Sequence, residues 1–451
     1  MRPIDAAEAF RDLPGLALLE SARPGRNARW TYLSADPIAV LDAPAAGPDP
    51  FAVARRLVGR LDPTPVDSAE APRFLGGLVG FLGYDLGHAL ERLPSIAIDD
   101  QGLPPLHLGL HDWVVAWDRR NGAAWLAGRA LDDDQRRLDR RLDDVHARLT
   151  TPGDGVAVAQ TAEPEGPLQF RSSLSRSAYE AGVGAVREHI ARGDIYQANL
   201  TRRLEAPFDG DPWQPYRRLR TGDPSLFSAY LDIGPSPETG RPRALLSASP
   251  EPFLSLDTDG TVASDPIKGT RPRGRHRAED RALACELLTS AKDRAENVMI
   301  VDVLRNDLGR VCRPGTVRVP RLCRLERTAA VQHLVSTVTG RLMPDRDAFD
   351  LLAASFPGGS ITGAPKIRAM EILEHLEPVR RGPYTGALGW IGADGAMQTS
   401  ILIRTFVADG RRLTLHVGGG ITWGSDPTAE WDETVAKARG PLGAIGGEEV
   451  A

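Results

Sequence analysis

The sequence predicts an α+β protein, and three observations carry that prediction. Short runs of strand character recur along the chain, as at residues 28–33, 113–117 and 244–248. A few longer stretches show apolar residues at helical spacing, such as Tyr179, Val183, Val186 and Ile190. The two patterns do not alternate in the regular βαβ order that a parallel sheet requires.

With 451 residues the chain can form two domains or one large two-layer domain. Hydrophobic residues make up 41%, charged residues 25%, and the net charge is -5, the composition of an ordinary globular protein. A nucleic-acid binder would carry a basic balance, so that class is excluded. Arg271, Arg273, Arg275 and Arg277 are interleaved with other residues and suit a local anion patch. No run approaches the ~20 apolar residues of a membrane span, and Met1-Arg2-Pro3-Ile4-Asp5-Ala6 does not open a signal peptide, so a cytoplasmic protein is expected. Cys285, Cys312 and Cys323 are odd in number and lack CxxC or metal-ligand spacing; reduced, structural thiols are expected.

In chain order, residues 1–150 read as one region of short mixed elements. Alternation at 28–33 suits a half-buried strand, and Trp113-Val114-Val115-Ala116-Trp117 ahead of Asn121-Gly122 predicts a hairpin. Gly76, Gly77, Gly80 and Gly83 punctuate an apolar strand between them, a sign of close backbone approach. The GxGxxG spacing of a dinucleotide fold is absent. Leucines among Asp and Arg over 131–149 predict a solvated surface helix. Residues 151–167, rich in Pro, Gly, Ala and Thr without periodicity, read as a linker or surface loop. The region 168–451 then opens with the Tyr179 helix, a stop near Gly193 and a strand over 195–200. Gln197 lies inside that strand. A buried amide needs partners, so Gln197 is either a structural hydrogen-bonder or faces a polar cavity.

The residues of strongest chemical character follow. Glu251 sits between Pro250 and Pro252 at a strand break. A turn carboxylate is the ordinary reading, but two flanking prolines would hold it in one direction, as a general acid requires. Pro266-Ile267-Lys268-Gly269-Thr270 puts a lysine where a strand end meets a basic, turn-rich loop. A lone lysine is ordinarily solvated, and its acidic surroundings make Lys268 a candidate nucleophile instead. Residues 279–310 predict a long helical segment, with or without a break, ending near Gly309, on which Asp293 and Glu296, three apart, share a face. Asp426-Pro427 predicts an N-cap and first-turn proline, and the helix beyond carries Glu430, Glu433 and Lys437 along one side. One acidic pair is ordinarily a solvated face. Two pairs on separate helices point to a divalent cation, and few ligands, all oxygen, favour Mg²⁺ over Ca²⁺.

Two glycine-rich loops are expected as well. Gly358-Gly359-Ser360-Ile361-Thr362-Gly363-Ala364-Pro365-Lys366 ends at a helix start whose free N–H groups suit an anion, without Walker spacing. The second, Gly418-Gly419-Gly420, lets backbone approach a ligand. Tyr384 and Arg404 lie between them. Arg404, read as part of an apolar strand over 401–405, needs a carboxylate or phosphate partner.

Taken together, Lys292-Asp293-Arg294-Ala295-Glu296-Asn297, the run 301–310, the Gly363-Ala364-Pro365-Lys366 loop and Glu430-Trp431-Asp432-Glu433-Thr434 resemble the chorismate-utilising enzymes. That family includes the anthranilate, isochorismate and aminodeoxychorismate synthases. The likeness covers residues 170–440, with shorter stretches at 18–21 and 76–85. It implies two large antiparallel-rich sheets packed face to face, helices outside, built from intertwined parts of the chain. It implies chorismate as substrate and Glu251 as general acid, with Mg²⁺ held by Glu296 and Glu433, assisted by Asp293 and Glu430. Tyr384, Arg404, Lys437 and the Gly418, Gly419 and Gly420 amides would take the enolpyruvyl carboxylate. His333 and Thr362 match active-site positions.

Two positions choose within the family. Water-adding members carry a lysine where this chain has Gln197, which sides with ammonia users. Anthranilate synthases typically read Pro-Ile-Ala-Gly-Thr where Lys268 stands, so Lys268 sides with the aminodeoxychorismate synthases; anthranilate synthesis is the alternative. On this resemblance Lys268 attacks C2 of chorismate, and ammonia then displaces it at C4, giving the precursor of p-aminobenzoate and folate. No cysteine has the Gly-x-Cys-x-Gly setting of a glutaminase, so a separate glutaminase subunit would supply the ammonia. Ser21 matches the wall of a tryptophan pocket in relatives, which implies tryptophan as a second ligand. Asp265 and Gln398 depart from the family pattern and touch local polarity rather than the reacting groups.

Overall fold

The computed structural model describes residues 1–450 apart from 24, 26–27, 44–48, 67, 69, 152–165 and 329–330. Most of the expected linker at 151–167 therefore lies outside the described residues. Elsewhere the fold is α+β, with a twelve-stranded and a ten-stranded sheet. Among the described residues, every strand pair is antiparallel except Gly447–Glu449 beside Leu168–Ser172.

Each sheet draws on chain from both sides of residues 151–167. The first joins Ala17–Glu20, Trp30–Ser34 and the predicted hairpin Trp113–Asp118 and Ala124–Gly128 to later strands that include Gln197–Pro207, Pro242–Ser249 and Arg412–Ile421. The second joins Gly77–Leu82 and Leu106–His111 to Pro252–Leu256, Ile267–Pro272, Val331–Arg341, Ala387–Gly392 and Met397–Ile401.

Apolar alternation explains the layering. Trp30, Tyr32 and Leu245 from the first sheet meet Val79, Phe81 and Trp390 from the second in one buried cluster. The opposite face of the first sheet, through Leu33, Leu246 and Leu415, packs on Ile4, Trp213 and Leu442 of three helices. Leu78 and Leu108 of the second sheet belong to a cluster with Phe51, Ile300 and Phe349 of three more. The result is helix, sheet, sheet, helix. Trp30–Ser34, expected as half-buried, is accordingly buried on both faces. A Cβ on Gly80 would stand 1.9 Å from the His107 carbonyl oxygen, the close approach expected of that strand.

Helix boundaries follow their capping residues. The acidic segment over 279–310 is two helices, Arg277–Thr289 and Ala291–Gly309, broken at Ser290, whose hydroxyl accepts the Asp293 N–H at 3.2 Å. Asp426 caps Pro427–Ile445 by accepting the Ala429 N–H at 2.9 Å. The predicted surface helix is Gln135–Thr150, anchored by Leu138 and Val145. All three cysteines are free, Cys312 and Cys323 buried and Cys285 exposed. No described helix is long and apolar enough to cross a membrane.

Candidate active site

Both sheets and two helices converge on a cavity of about 630 Å³. The chain crosses between sheets twice at its wall. At the first crossing it leaves Pro242–Ser249 and enters Pro252–Leu256, and Glu251 stands at the break. Its carbonyl accepts the Ile401 N–H at 3.0 Å, and the residue is only 7% exposed. Burial pushes the Glu251 carboxyl upward, against the Lys268 ammonium and hydrogen bonds from the Ser360 side chain and the Ile267 N–H.

Lys268 comes from the second sheet. Ile267–Pro272 pairs with Val331–Arg341, and the register slips between Lys268 and Thr270. Gly269 is the bulge, at φ +69°, where a Cβ would lie 2.8 Å from Leu287 and 3.0 Å from Asp293. Only glycine therefore lets this strand close against the acidic helix. The Lys268 ammonium donates to the Ser360 carbonyl at 2.8 Å. Burial lowers its pKa; Glu296 and Glu251 oppose that shift without cancelling it.

Opposite Thr270 in the ladder stands His333, whose Nδ1 is hydrogen-bonded with the Thr270 hydroxyl at 2.9 Å. Its Nε2 is buried without a hydrogen-bond partner among the described residues. Burial, assisted by Arg23 and Arg404, pushes His333 down to about 4, so it is neutral at physiological pH.

The two acidic pairs face this same space from separate helices, Asp293 and Glu296 on Ala291–Gly309 and Glu430 and Glu433 on Pro427–Ile445. Protein cations already attend them. Arg271 lies 3.1 Å from Asp293, Lys292 3.5 Å from Glu430, and Lys437 2.8 Å from Glu433. Burial raises Glu296, and Asp293 and Glu433 reinforce the shift against Lys268 and Lys292. For Glu433 burial also acts upward, but Lys437, Lys292 and Lys268 outweigh it and the carboxyl is lowered. No three His, Cys, Asp or Glu side chains among the described residues are gathered so as to hold a metal ion. The donors are all carboxylate oxygen, the chemistry that suits a hard divalent ion, and the Lys292 ammonium stands among them.

The glycine run is not a loop. Gly418, Gly419 and Gly420 lie inside Arg412–Ile421, opposite Thr201, Leu200 and Asn199. The Gly418 carbonyl accepts the Lys437 ammonium at 2.8 Å, and Gly418 and Gly420 line the cavity while Gly419 does not. A Cβ at Gly419 would lie 3.1 Å from Glu430, so this glycine lets the strand approach the acidic helix. Gln197 begins Gln197–Pro207, and its amide fills the place of a Gly420 side chain, where a Cβ would meet Nε2 at 2.0 Å. Neither amide atom has a hydrogen-bond partner among the described residues.

Arg404 also departs from expectation. It sits not within a strand but at the second crossing, between Met397–Ile401 and Thr405–Ala408, at φ +50°. Its guanidinium faces Asp223 at 3.7 Å, and its side chain is 39% exposed. Tyr384 lines the cavity beside it, its phenol raised by burial. Thr362 is buried behind the wall, its hydroxyl donating to the Gly358 carbonyl at 3.0 Å. The loop before Lys366, expected to offer N–H groups to an anion, instead turns the Ser360 carbonyl towards Lys268, the opposite polarity. Lys366 itself is held by Asp307 at 2.9 Å.

Ser21 belongs elsewhere. It lines a second cavity of about 340 Å³ together with Trp30, Tyr32, Trp390 and Gln398, and its hydroxyl donates to the Trp30 carbonyl at 3.2 Å. Asp265 accepts the Thr337 hydroxyl at 2.5 Å. Three residues of the main cavity carried no signal in the sequence that singled them out: Ser360, Lys292 as a partner of Glu430, and His416. His416 stands two residues before the glycines, and nothing local to it in the sequence shows that its strand borders the cavity.

Comparison with known proteins agrees with this geometry. A family model described as chorismate binding enzyme matches residues 18–443. The aminodeoxychorismate synthase component 1 of Salmonella typhimurium is 40% identical over 453 residues, covering 96% of this chain and 94% of that protein. The anthranilate synthase component 1 of Streptomyces coelicolor is also 40% identical, over 445 residues, covering 96% and 84%. The crystal structure of anthranilate synthase component I from Streptococcus pneumoniae superposes with a TM-score of 0.80 at 31% identity, covering 93% of each chain. The chain belongs to the chorismate-binding enzyme family.

Proposed function

We propose that this enzyme aminates chorismate at C4, giving 4-amino-4-deoxychorismate on the route to p-aminobenzoate and folate. The observation that carries the reading is the lysine at 268: an amine held between Glu251 and Glu296 and biased by burial towards its neutral, nucleophilic form. Glu251, biased by burial towards its protonated form, is the matching acid.

The reaction then runs as two displacements. The Lys268 amine bonds to C2 while the ring double bonds shift and the C4–O bond breaks, and Glu251 gives the departing hydroxyl its proton, so water leaves. Glu251, now a carboxylate, takes the extra proton of the adduct nitrogen; ammonia then bonds to C4, the double bonds shift back, and the C2–N bond breaks as Glu251 returns that proton to restore the neutral lysine, after which the new C4 ammonium gives up a proton to Glu251. Two displacements leave the configuration at C4 unchanged. Ser360 keeps both groups in register, its carbonyl holding the amine and its side chain the carboxyl. Mg²⁺, held by Glu296 and Glu433 with Asp293 and Glu430, would supply positive charge to the ring carboxylate. Tyr384, Arg404 and the free-edge amides of Gly418 and Gly420 suit the enolpyruvyl carboxylate. Ammonia would come from a separate glutaminase subunit, in keeping with the "component 1" names of the relatives. The second cavity suits an indole between Trp30, Tyr32 and Trp390, and we assign it to tryptophan.

Anthranilate synthesis is the second reading, favoured by the equal identity of the Streptomyces protein. Chromatography and mass spectrometry of a reaction with chorismate, Mg²⁺ and an ammonium salt at alkaline pH separate the two. The expected product is aminodeoxychorismate, converted to p-aminobenzoate only when a lyase is added. Anthranilate with release of pyruvate would overturn the proposal.

A further inference from the structure

We infer that His416 is a further substrate-binding residue, whose ring nitrogens hydrogen-bond the substrate at the Tyr384 end of the cavity. The inference rests on the chorismate reading above.

Along Arg412–Ile421 the cavity is lined by Leu415, His416, Val417, Gly418 and Gly420, and His416 is the one polar side chain among them. The two glycines bring backbone itself to the cavity wall: a Cβ at Gly418 would meet the Leu200 carbonyl oxygen at 2.5 Å, and one at Gly420 the Gln197 amide at 2.0 Å. His416 stands in that lining beyond Gly418, whereas Gln197, packed over Gly420, does not belong to it. His416 lines the cavity yet is only 5% exposed, and neither Nδ1 nor Nε2 has a hydrogen-bond partner among the described residues. A buried imidazole with both nitrogens unmet is costly and is seldom kept without a purpose.

His333 differs in kind, because Thr270 already holds one of its nitrogens. The His416 ring touches Tyr384 edge-on, with centroids 5.0 Å apart and planes at 78°. That contact orients the ring without using its hydrogen-bonding capacity. Burial, with the guanidiniums of Arg203 and Arg381 and against Asp100, pushes His416 well below its ordinary value, so the ring is uncharged. An uncharged imidazole offers one N–H and one lone pair. A carboxylate or ether oxygen seated against Gly418 and Gly420 would take the N–H.

Steady-state kinetics with chorismate and ammonium distinguish this role from packing. His416→Phe keeps a ring against Tyr384 and removes both nitrogens, and His416→Gln restores a donor without the ring. The expected result is a KM for chorismate raised about tenfold in H416F with kcat within about threefold, largely recovered in H416Q. A wild-type KM in H416F, or an H416Q no better than H416F, overturns the inference while leaving the chorismate reading intact. A wild-type chain that neither binds nor turns over chorismate defeats both.

Discussion

Burial acts in opposite senses on the two groups proposed to carry the chemistry. It favours the uncharged amine of Lys268 and the protonated carboxyl of Glu251, and each is the form its role requires. The rate should therefore rise with pH as Lys268 loses its proton and fall as Glu251 loses its own, giving a bell-shaped profile of kcat/KM. Glu251→Gln should lower kcat by about 10²–10⁴-fold and remove the Glu251 limb, measured across pH with ammonium held in excess. The stability signs follow from the same shifts. With its folded pKa lowered, Lys268 contributes stability that grows as pH rises from that value to the ordinary lysine value. Glu251, with its pKa raised, contributes stability that falls as pH rises from the ordinary carboxyl value to the raised one. Both residues were legible in the sequence, one through its flanking prolines and the other through its family position. Ser360 was not, because it holds Lys268 through a backbone carbonyl, whose direction depends on the loop fold rather than on residue type. His416 was missed because nothing local to it in the sequence shows that this strand borders the cavity.

Helices were easier to read than the strands around them. Ser175, Ser290 and Asp426 each cap the helix they precede, so chemistry local to a few residues fixes those boundaries. The spacing that put two acids on each of two helices was likewise local, and both pairs do face one cavity. What spacing could not give was the state of those acids. Lys292, one residue before Asp293 and half-exposed, is an internal counter-ion of Glu430. A divalent ion entering this set would have to displace that ammonium. Lys292→Met should consequently bind Mn²⁺ roughly 3–10-fold more tightly, the modest gain expected when a partly solvated charge is removed. Titration followed by electron paramagnetic resonance of free Mn²⁺ checks this without any turnover. Unchanged or weaker binding would mean that Lys292 does not compete for the site. Arg404 shows the converse limit: an arginine among apolar neighbours resembles a buried strand residue, yet here it marks a change of sheet.

For the molecule as a whole, the α+β class was legible but the strand order was not. Ala17–Glu20 pairs with Phe227–Pro235, some two hundred residues on, and no local pattern encodes such a partner. Trp30–Ser34 alternates in sequence, yet a helix covers one face and the other sheet covers the second, so tertiary packing overrides that reading. The sandwich has a functional consequence. Crossings between sheets bring Glu251 and Arg404 to one wall, the edge of the second sheet brings Lys268, and the two acidic helices close the cavity from outside. The whole arrangement thus converges on one amine. The nucleophilic role proposed for it is tested most directly by the mass of the intact chain after incubation with chorismate and Mg²⁺ in the absence of ammonia, followed by peptide mapping. The account predicts a gain of one chorismate less one water, located on Lys268, absent from Lys268→Ala and discharged as aminodeoxychorismate when ammonium is added. Formation of aminodeoxychorismate by a Lys268→Ala chain at the wild-type rate, with no adduct on the wild type, would contradict it.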